Sequence, residues 1–185
     1  MARRVKDQPF TGQEQIREQG LTEFGIANMT RYATAVNLDR AVPELYDGLK
    51  PVQRRIAWSA THYKDGPVKS SRITGTCMGA YHPHGSAYGT IQTMVHHNVP
   101  WFVGIGNWGN LIDVAAAERY TNCCLSKVGW SCFDKDYLAI ADMVPNYDGK
   151  DVEPVVVPVQ LPFILLNGAD GIGVGVTCKL PTFTL

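Results

Sequence analysis

The sequence predicts an α+β fold in which a set of short helices is followed by a β-rich segment. Three observations carry this. In the first hundred residues, apolar side chains recur at helical spacing between proline and glycine breaks. After Pro100 the texture becomes strand-like and glycine-rich. From residue 146 onward, Pro154, Pro158 and Pro162 bracket short β-branched runs. The expected organisation is an N-terminal arm over residues 1–24, a helix-turn-helix type of domain over 25–145, and the beginning of a β-rich domain over 146–185.

The arm is polar, with Pro9, Gly12 and Gly20 and little apolar period over its first 20 residues, which reads as a disordered start. Phe24, Ala27, Tyr32, Ala35 and Val36 predict a helix over 24–38, broken by Pro43 and by Asp47-Gly48. Pro51 sits where proline is tolerated, in the first turn of a second helix over 52–62, which Asp65-Gly66-Pro67 ends. Two more helices are expected, over 71–80 and 86–96, on either side of His82-Pro83-His84-Gly85. Short helices joined by tight turns, one of them basic, fit a helix-turn-helix core. Beyond them, Trp101-Phe102-Val103 is strand-like and Gly104 to Gly109 form a glycine-rich loop. Residues 115–120 have helix propensity and 121–124 do not, which puts Tyr120 where a short turn meets an extended segment. A further helix is expected over 126–136, then β-structure through Val155-Val156-Val157, Phe163-Ile164-Leu165-Leu166 and the glycines from Gly168 to Gly175.

Composition narrows the function classes. A chain of 185 residues, 45% of them apolar, can bury one core with an appendage. No apolar run is long enough to span a bilayer, and the basic start is not followed by the apolar stretch of a secretory leader, so a cytoplasmic protein is expected. Five cysteines, odd in number and without framework spacing, suit a reducing compartment. The net charge is zero, yet between Lys50 and Arg72 six cations (Lys50, Arg54, Arg55, Lys64, Lys69, Arg72) face a single acid, Asp65. A basic segment on a neutral chain is the footprint of a nucleic-acid surface; a solvated helix face is the plainer reading.

The motif with the most chemistry is Ala115-Ala116-Ala117-Glu118-Arg119-Tyr120-Thr121. A tyrosine hydroxyl, with an ordinary pKa of about 10, needs a base or a cation beside it to act as a nucleophile. Arg119 supplies a cation, whose guanidinium can brace phosphate oxygens as charge builds. Phosphoryl transfer depends on such positioning and electrostatics. Helical spacing puts Lys50 and Arg54 on one face with Arg55 alongside, a row able to follow a phosphate backbone. Pro83 holds His82 and His84 on a turn, where zinc binding is the competing reading; no Cys or His partner lies at zinc spacing, and Cys77 alone is too little. Gly104-x-Gly106-x-x-Gly109 matches the dinucleotide fingerprint literally, but no βαβ unit or suitably placed acid supports it.

Three strings, Gly48-Leu49-Lys50-Pro51-Val52-Gln53-Arg54-Arg55, Tyr81-His82-Pro83-His84-Gly85 and the Ala-Ala-Ala-x-Arg-Tyr-Thr run, carry a resemblance in their order and rough spacing. They resemble the A-type chain of bacterial type IIA DNA topoisomerases, gyrase and topoisomerase IV. The resemblance covers residues 28–185. It implies a winged-helix DNA-cleavage domain followed by the start of a tower domain. It implies that Tyr120, with Arg119 as the other catalytic residue, forms a transient link to a DNA 5′-phosphate. Arg40, Lys50, Arg54, Arg55, His82, His84 and Ser86 would contact DNA or support the site, the histidines by binding the scissile phosphate region or relaying a proton. Ile172, a core strand residue when read by its surroundings alone, would wedge between base steps, its flanking glycines allowing close approach. Double-stranded DNA, a second A-type chain in an A2B2 assembly, and a B-type partner carrying ATP hydrolysis and most of the Mg2+ ligation are the implied partners; no metal site is assigned to this chain.

The sequence departs from the family pattern in three places. Gln53 stands where family members usually carry histidine, so it receives no acid–base role. The segment after Gly85 is about two residues short, with Gly89 where an acid is common, and the loop between Gly109 and Ala115 is slightly shortened. The coiled coil, the second dimer gate and the remainder of the tower are absent from the sequence. A non-catalytic winged-helix DNA-binding module and an inactive fragment are the alternative readings.

Overall fold

The computed structural model describes residues 18–184, and they divide into two compact units at the boundary between Tyr32 and Ala33. Most of the expected N-terminal arm lies outside the described residues. What is described of the first unit is largely helix α1, Leu21–Val36, which starts three residues before the expected helix and has no buried side chain. Its apolar residues, Leu21, Phe24, Ile26, Met29 and Tyr32 among them, are exposed.

In the second unit the chain widens into a π-helical turn over Asn37–Ala41 and leaves it at Val42. Val42 is extended, as the residue before a proline must be to clear the ring of Pro43. The following turn depends on Gly48, which has φ +68°; a Cβ there would also lie 2.5 Å from the backbone nitrogen of Ile164. This reversal places Asp47 beneath helix α2, Pro51–Ala60. Pro51 opens α2, and the side chain of Gln53 accepts from the backbone N–H of Lys50 at 2.8 Å, which gives Gln53 a capping role.

Strand β1 (Val68–Lys69) leads into helix α3 (Ser70–Thr76), which continues as a π-helical turn over Cys77–Tyr81; α4 spans Tyr88–Val95. Strands β2 (Phe102–Ile105) and β3 (Asn122–Leu125) join β1 in a three-stranded antiparallel sheet of order β1-β3-β2, with Val68 opposite Cys123 and Phe102 opposite Leu125. The alternation of β3 turns Cys123 and Leu125 into the core. There they meet Ile56, Ile73, Ile91, Met94, Trp101 and Phe102 from the helices and from β2 and its approach. Because β2 and β3 are antiparallel neighbours, the Gly104–Gly109 loop belongs to no βαβ unit. It is shaped for packing: a Cβ on Gly104 would lie 2.4 Å from the indole of buried Trp108.

Three expectations are corrected. The helix expected over 126–136 is two helices, α5 (Lys127–Cys132) and α6 (Lys135–Leu138). Asp134 interrupts it by capping α6, its carboxylate accepting from Asp136 N. Val155-Val156-Val157 is not a strand: buried Val157 donates its N–H to Asp47 Oδ2 at 3.0 Å, and the pairing in this region is instead between β4 (Met143–Pro145) and β5 (Val152–Pro154). Phe163–Leu166 forms a single helical turn, α7, whose i, i+3 spacing buries Phe163 against Trp101 and Leu166 beside it. Strands β6 (Ala169–Ile172) and β7 (Thr177–Leu180) close the described chain as a hairpin. Val157 and Phe163 belong to the same core as Ile56, so the residues beyond 146 pack with those before it.

Candidate functional site

Tyr120 ends a tight turn in which its N–H donates to Ala117 O at 2.8 Å, and β3 begins two residues later. Only one turn of the predicted helical stretch forms, because Ala116 N is held by Asn107 O. The next residue, Thr121, is fully buried in a hydroxyl network. Its Oγ1 lies 2.8 Å from Ser70 Oγ and 3.0 Å from the hydroxyl of Tyr88. Tyr88 spends its own proton on Ala116 O at 2.7 Å, so Thr121 donates to it. With its neighbour anchored inward, Tyr120 faces outward, 65% exposed. Over its ring, at 4.6 Å, sits the guanidinium of Arg119. Glu118 ties the turn to the helices: its Oε2 accepts from Thr74 Oγ1 at 2.9 Å and from Ser86 Oγ at 3.2 Å. Thr121, Tyr88, Ser70 and Glu118 were not singled out from sequence; the threonine in the Arg-Tyr-Thr run was the one signal available.

A second group gathers around the His82–Pro83–His84 turn. The two imidazoles are 4.8 Å apart. Arg55 brings Nη1 to 3.4 Å from His82 Nδ1 and is itself gripped by Glu153 of β5 at 2.8–3.1 Å. Burial first, then the electrostatic influence of Arg55, His84 and Arg40, push His82 down to about 4, so it is neutral at pH 7. Arg40 also lines a groove of about 780 Å3 with Lys50, Thr93, Asp170 and Lys179. Lys50 reaches across to the β6–β7 hairpin, its Nζ donating to Asp170 O at 2.6 Å. At the end of β6, Ile172 is 80% exposed. Asn37 clamps the turn beyond it, accepting from Val174 N at 2.8 Å and donating to Val174 O at 3.2 Å.

The expected row of Lys50, Arg54 and Arg55 is not formed, and Arg54 is the clearest correction. It is 7% exposed and bound inside to Asp47, with Nε–Oδ2 2.6 Å and Nη2–Oδ1 2.9 Å. The reason is the Gly48 reversal, which puts a carboxylate under that face of α2, leaving Arg54 no reach to an outside phosphate. Arg55 is likewise committed to Glu153, which leaves Arg40, Lys50 and Lys179 as the cations of the groove. Among the described residues, no hydrogen bond, ion pair or ring contact joins Tyr120 to His82 or His84; the tyrosine turn and the histidine turn are separate groups. Nor do the described residues include a set of three or more His, Cys, Asp or Glu able to hold a metal ion. The five cysteines are free, and no helix among the described residues is long and apolar enough to cross a membrane.

On an α+β scaffold the described residues thus set out an exposed tyrosine capped by an arginine, a separate histidine turn and a cation-lined groove. The chain belongs to the family of DNA gyrase/topoisomerase IV A subunits, whose sequence model matches residues 40–185. It is 42% identical over 164 residues to the A subunit of DNA topoisomerase 4 from Neisseria gonorrhoeae, a match that covers 83% of this chain and 21% of that protein. Against the DNA gyrase A subunit of Rickettsia conorii it is 40% identical over 164 residues, 83% of this chain and 18% of that one. With the DNA gyrase A subunit of Staphylococcus epidermidis the identity is 38% over 183 residues, 94% of this chain and 20% of the other. The chain thus spans about a fifth of the length of the curated relatives it matches.

Proposed function

We propose that this chain is the DNA-breaking part of the A-type chain of a type IIA topoisomerase, with Tyr120 as the nucleophile. The observation that carries the reading is the outward-facing Tyr120 phenol beneath the Arg119 guanidinium, on a turn fixed from behind by the Thr121 hydroxyl network. In the proposed step Tyr120 Oη loses its proton and attacks the phosphorus. The phosphorus–O3′ bond breaks, the 3′-oxygen leaves as a hydroxyl after taking up a proton, and a 5′-phosphotyrosyl bond remains. Arg119 stabilises the charge that builds on the phosphoryl oxygens. Reversal reseals the strand after a second duplex has passed.

Residues 25–145 are read as the winged-helix cleavage domain and 146–185 as the start of the tower. The cations Arg40 and Lys50 meet the duplex backbone from the groove, and Ile172 enters a base step from the hairpin. A second A-type chain cuts the opposite strand, in keeping with the two-fold symmetry usual for such assemblies. A B-type chain completes the A2B2 assembly. ATP hydrolysis and Mg2+ binding are assigned to that partner, since the described residues here offer no metal set.

The test is covalent trapping on denaturation, with a B-type partner, the C-terminal part of an A-type chain and Mg2+ supplied. Tyr120→Phe should bind DNA as the parent does and form no adduct. An adduct that survives the substitution places the nucleophile elsewhere, and no adduct from the parent protein makes the chain a non-catalytic DNA-binding module.

A further inference from the structure

The His82 ring carries more information than its position. A guanidinium has five N–H donors and no acceptor. Where Arg55 Nη1 approaches His82 Nδ1 at 3.4 Å, the imidazole nitrogen is therefore the acceptor. A neutral imidazole has one acceptor nitrogen and one N–H. With Nδ1 accepting, the proton is on Nε2.

Arg55 is not free to swing away. Its Nε and Nη2 are held by both carboxylate oxygens of Glu153, at 2.8–3.1 Å, and Glu153 is 7% exposed. The same hairpin that carries Glu153 also fixes the backbone leading into the ring. Tyr147 donates to Gly79 O at 2.7 Å and Asn146 donates to Ala80 O at 2.7 Å. Asp151 accepts from the hydroxyl of Tyr81 at 2.5 Å, and His82 N closes onto Cys77 O at 2.7 Å. The β4–β5 hairpin thus holds Arg55 beside the ring and the backbone at Gly79, Ala80 and Tyr81 that leads into it, while the π-helical turn holds His82 N.

We infer that Glu153, acting through Arg55, locks His82 as a neutral imidazole protonated at Nε2, so that His82 serves as a fixed N–H donor and not as a proton shuttle. This rests on the DNA-cleavage reading only for the donor's target, an oxygen of the phosphodiester. The charges facing the ring agree. Arg55 from α2, Arg40 from the π-helical turn and His84 from the same loop all oppose a proton on Nδ1, and the acid behind them, Glu153, is engaged by Arg55. Burial acts in the same direction, and the His82 value of about 4 reflects the sum.

Glu153 is a positioning residue, and its effect is readable without DNA. In the full chain labelled with 15N-histidine, long-range 1H–15N spectra across about pH 5 to 8 should show His82 neutral, with the proton on Nε2 throughout. Glu153→Gln keeps the volume and removes the charge that holds Arg55. It should loosen the hold on Arg55 and mix the two tautomers of His82. His96, whose ring nitrogen meets Trp108 O at 2.9 Å, lies outside this group and its tautomer should not change. Arg55→Lys, which keeps a cation but cannot bridge Glu153 and the ring in the same way, should give the same tautomer change and serves if the Glu153 variant does not fold. A parent His82 that titrates near the ordinary value, or a tautomer unchanged in the folded variants, overturns the inference. Loss of the Tyr120 adduct would leave these spectra as they are, so the two readings fail separately.

Discussion

Replacing Arg54 should unfold the protein more readily and leave its salt-dependent grip on DNA alone. Asp47 is fully buried and accepts four hydrogen bonds: Arg54 Nε at 2.6 Å, Arg54 Nη2 at 2.9 Å, Leu49 N at 2.9 Å and Val157 N at 3.0 Å. Arg54→Met keeps most of the volume and deletes the first two, each charge-assisted and worth about 1.5–3 kcal/mol. It leaves a carboxylate in the interior with two backbone donors and no counter-charge. Breaking one side of a buried pair costs about 3–5 kcal/mol, and the two routes meet near about 4 kcal/mol. Against a total stability of about 5–15 kcal/mol, that is a large share. For a unit of this size it lowers the thermal midpoint by about 10 °C. The assay is a urea or thermal melt by circular dichroism, run beside DNA binding at several salt concentrations. A phosphate-contacting arginine adds about 0.9 to the slope of log K against log salt. A variant that melts with the parent while its slope falls by about 0.9 would refute the buried-pair argument and return Arg54 to the DNA surface.

Two further outcomes follow from packing and burial. A Cβ on Gly171 would sit 2.0 Å from Ala41 O, so Gly171→Ala should push the β6–β7 hairpin off its seat, costing about 1–3 kcal/mol and reducing duplex bending measured by end-to-end fluorescence transfer. Ile172→Ala should reduce bending without the stability loss, since its side chain is exposed; equal melts for the two variants would show that the hairpin is not seated on Ala41. His82 and His97 are both held down at about 4, His97 by burial. The unfolded chain takes up these protons at about 6.5, so it binds more protons than the native state between the two values. Stability should be fully present above about pH 6.5 and fall as the pH drops toward about 4. His97→Phe should flatten that decline in a pH series of melts, and a decline of undiminished steepness would assign it to other groups.

How much of this was legible beforehand depends on the range of the interactions. The α2 helix with Pro51 in its first turn, the turn at His82–His84 and the placement of Tyr120 between a turn and an extended segment follow from local rules. Apolar period, proline tolerance and β-branching act over a few residues, so the chain displays them directly. Periodicity could not decide the direction of the basic face of α2. Whether Arg54 meets solvent or protein depends on Asp47, seven residues away, being turned under the helix by Gly48, and on Val157 N arriving from 110 residues beyond Asp47. Glu153 was equally invisible: it lies 98 residues from Arg55, in a hairpin whose charge looks like any surface acid until the strands pair. The helix expected over 126–136 failed for a local reason, since Asp134 competes for the backbone as a cap. The strand expected at 155–157 failed for a distant one, since Asp47 takes the N–H that a ladder would use. The residues proposed to act on a phosphodiester, Tyr120, Arg119 and the histidine pair, stand in the one-dimensional string. Which cations remain available, which carboxylates occupy the others, and which nitrogen of His82 holds the proton are set where distant segments meet, because charge and hydrogen bonds act through a few ångströms of space, however long the chain between them.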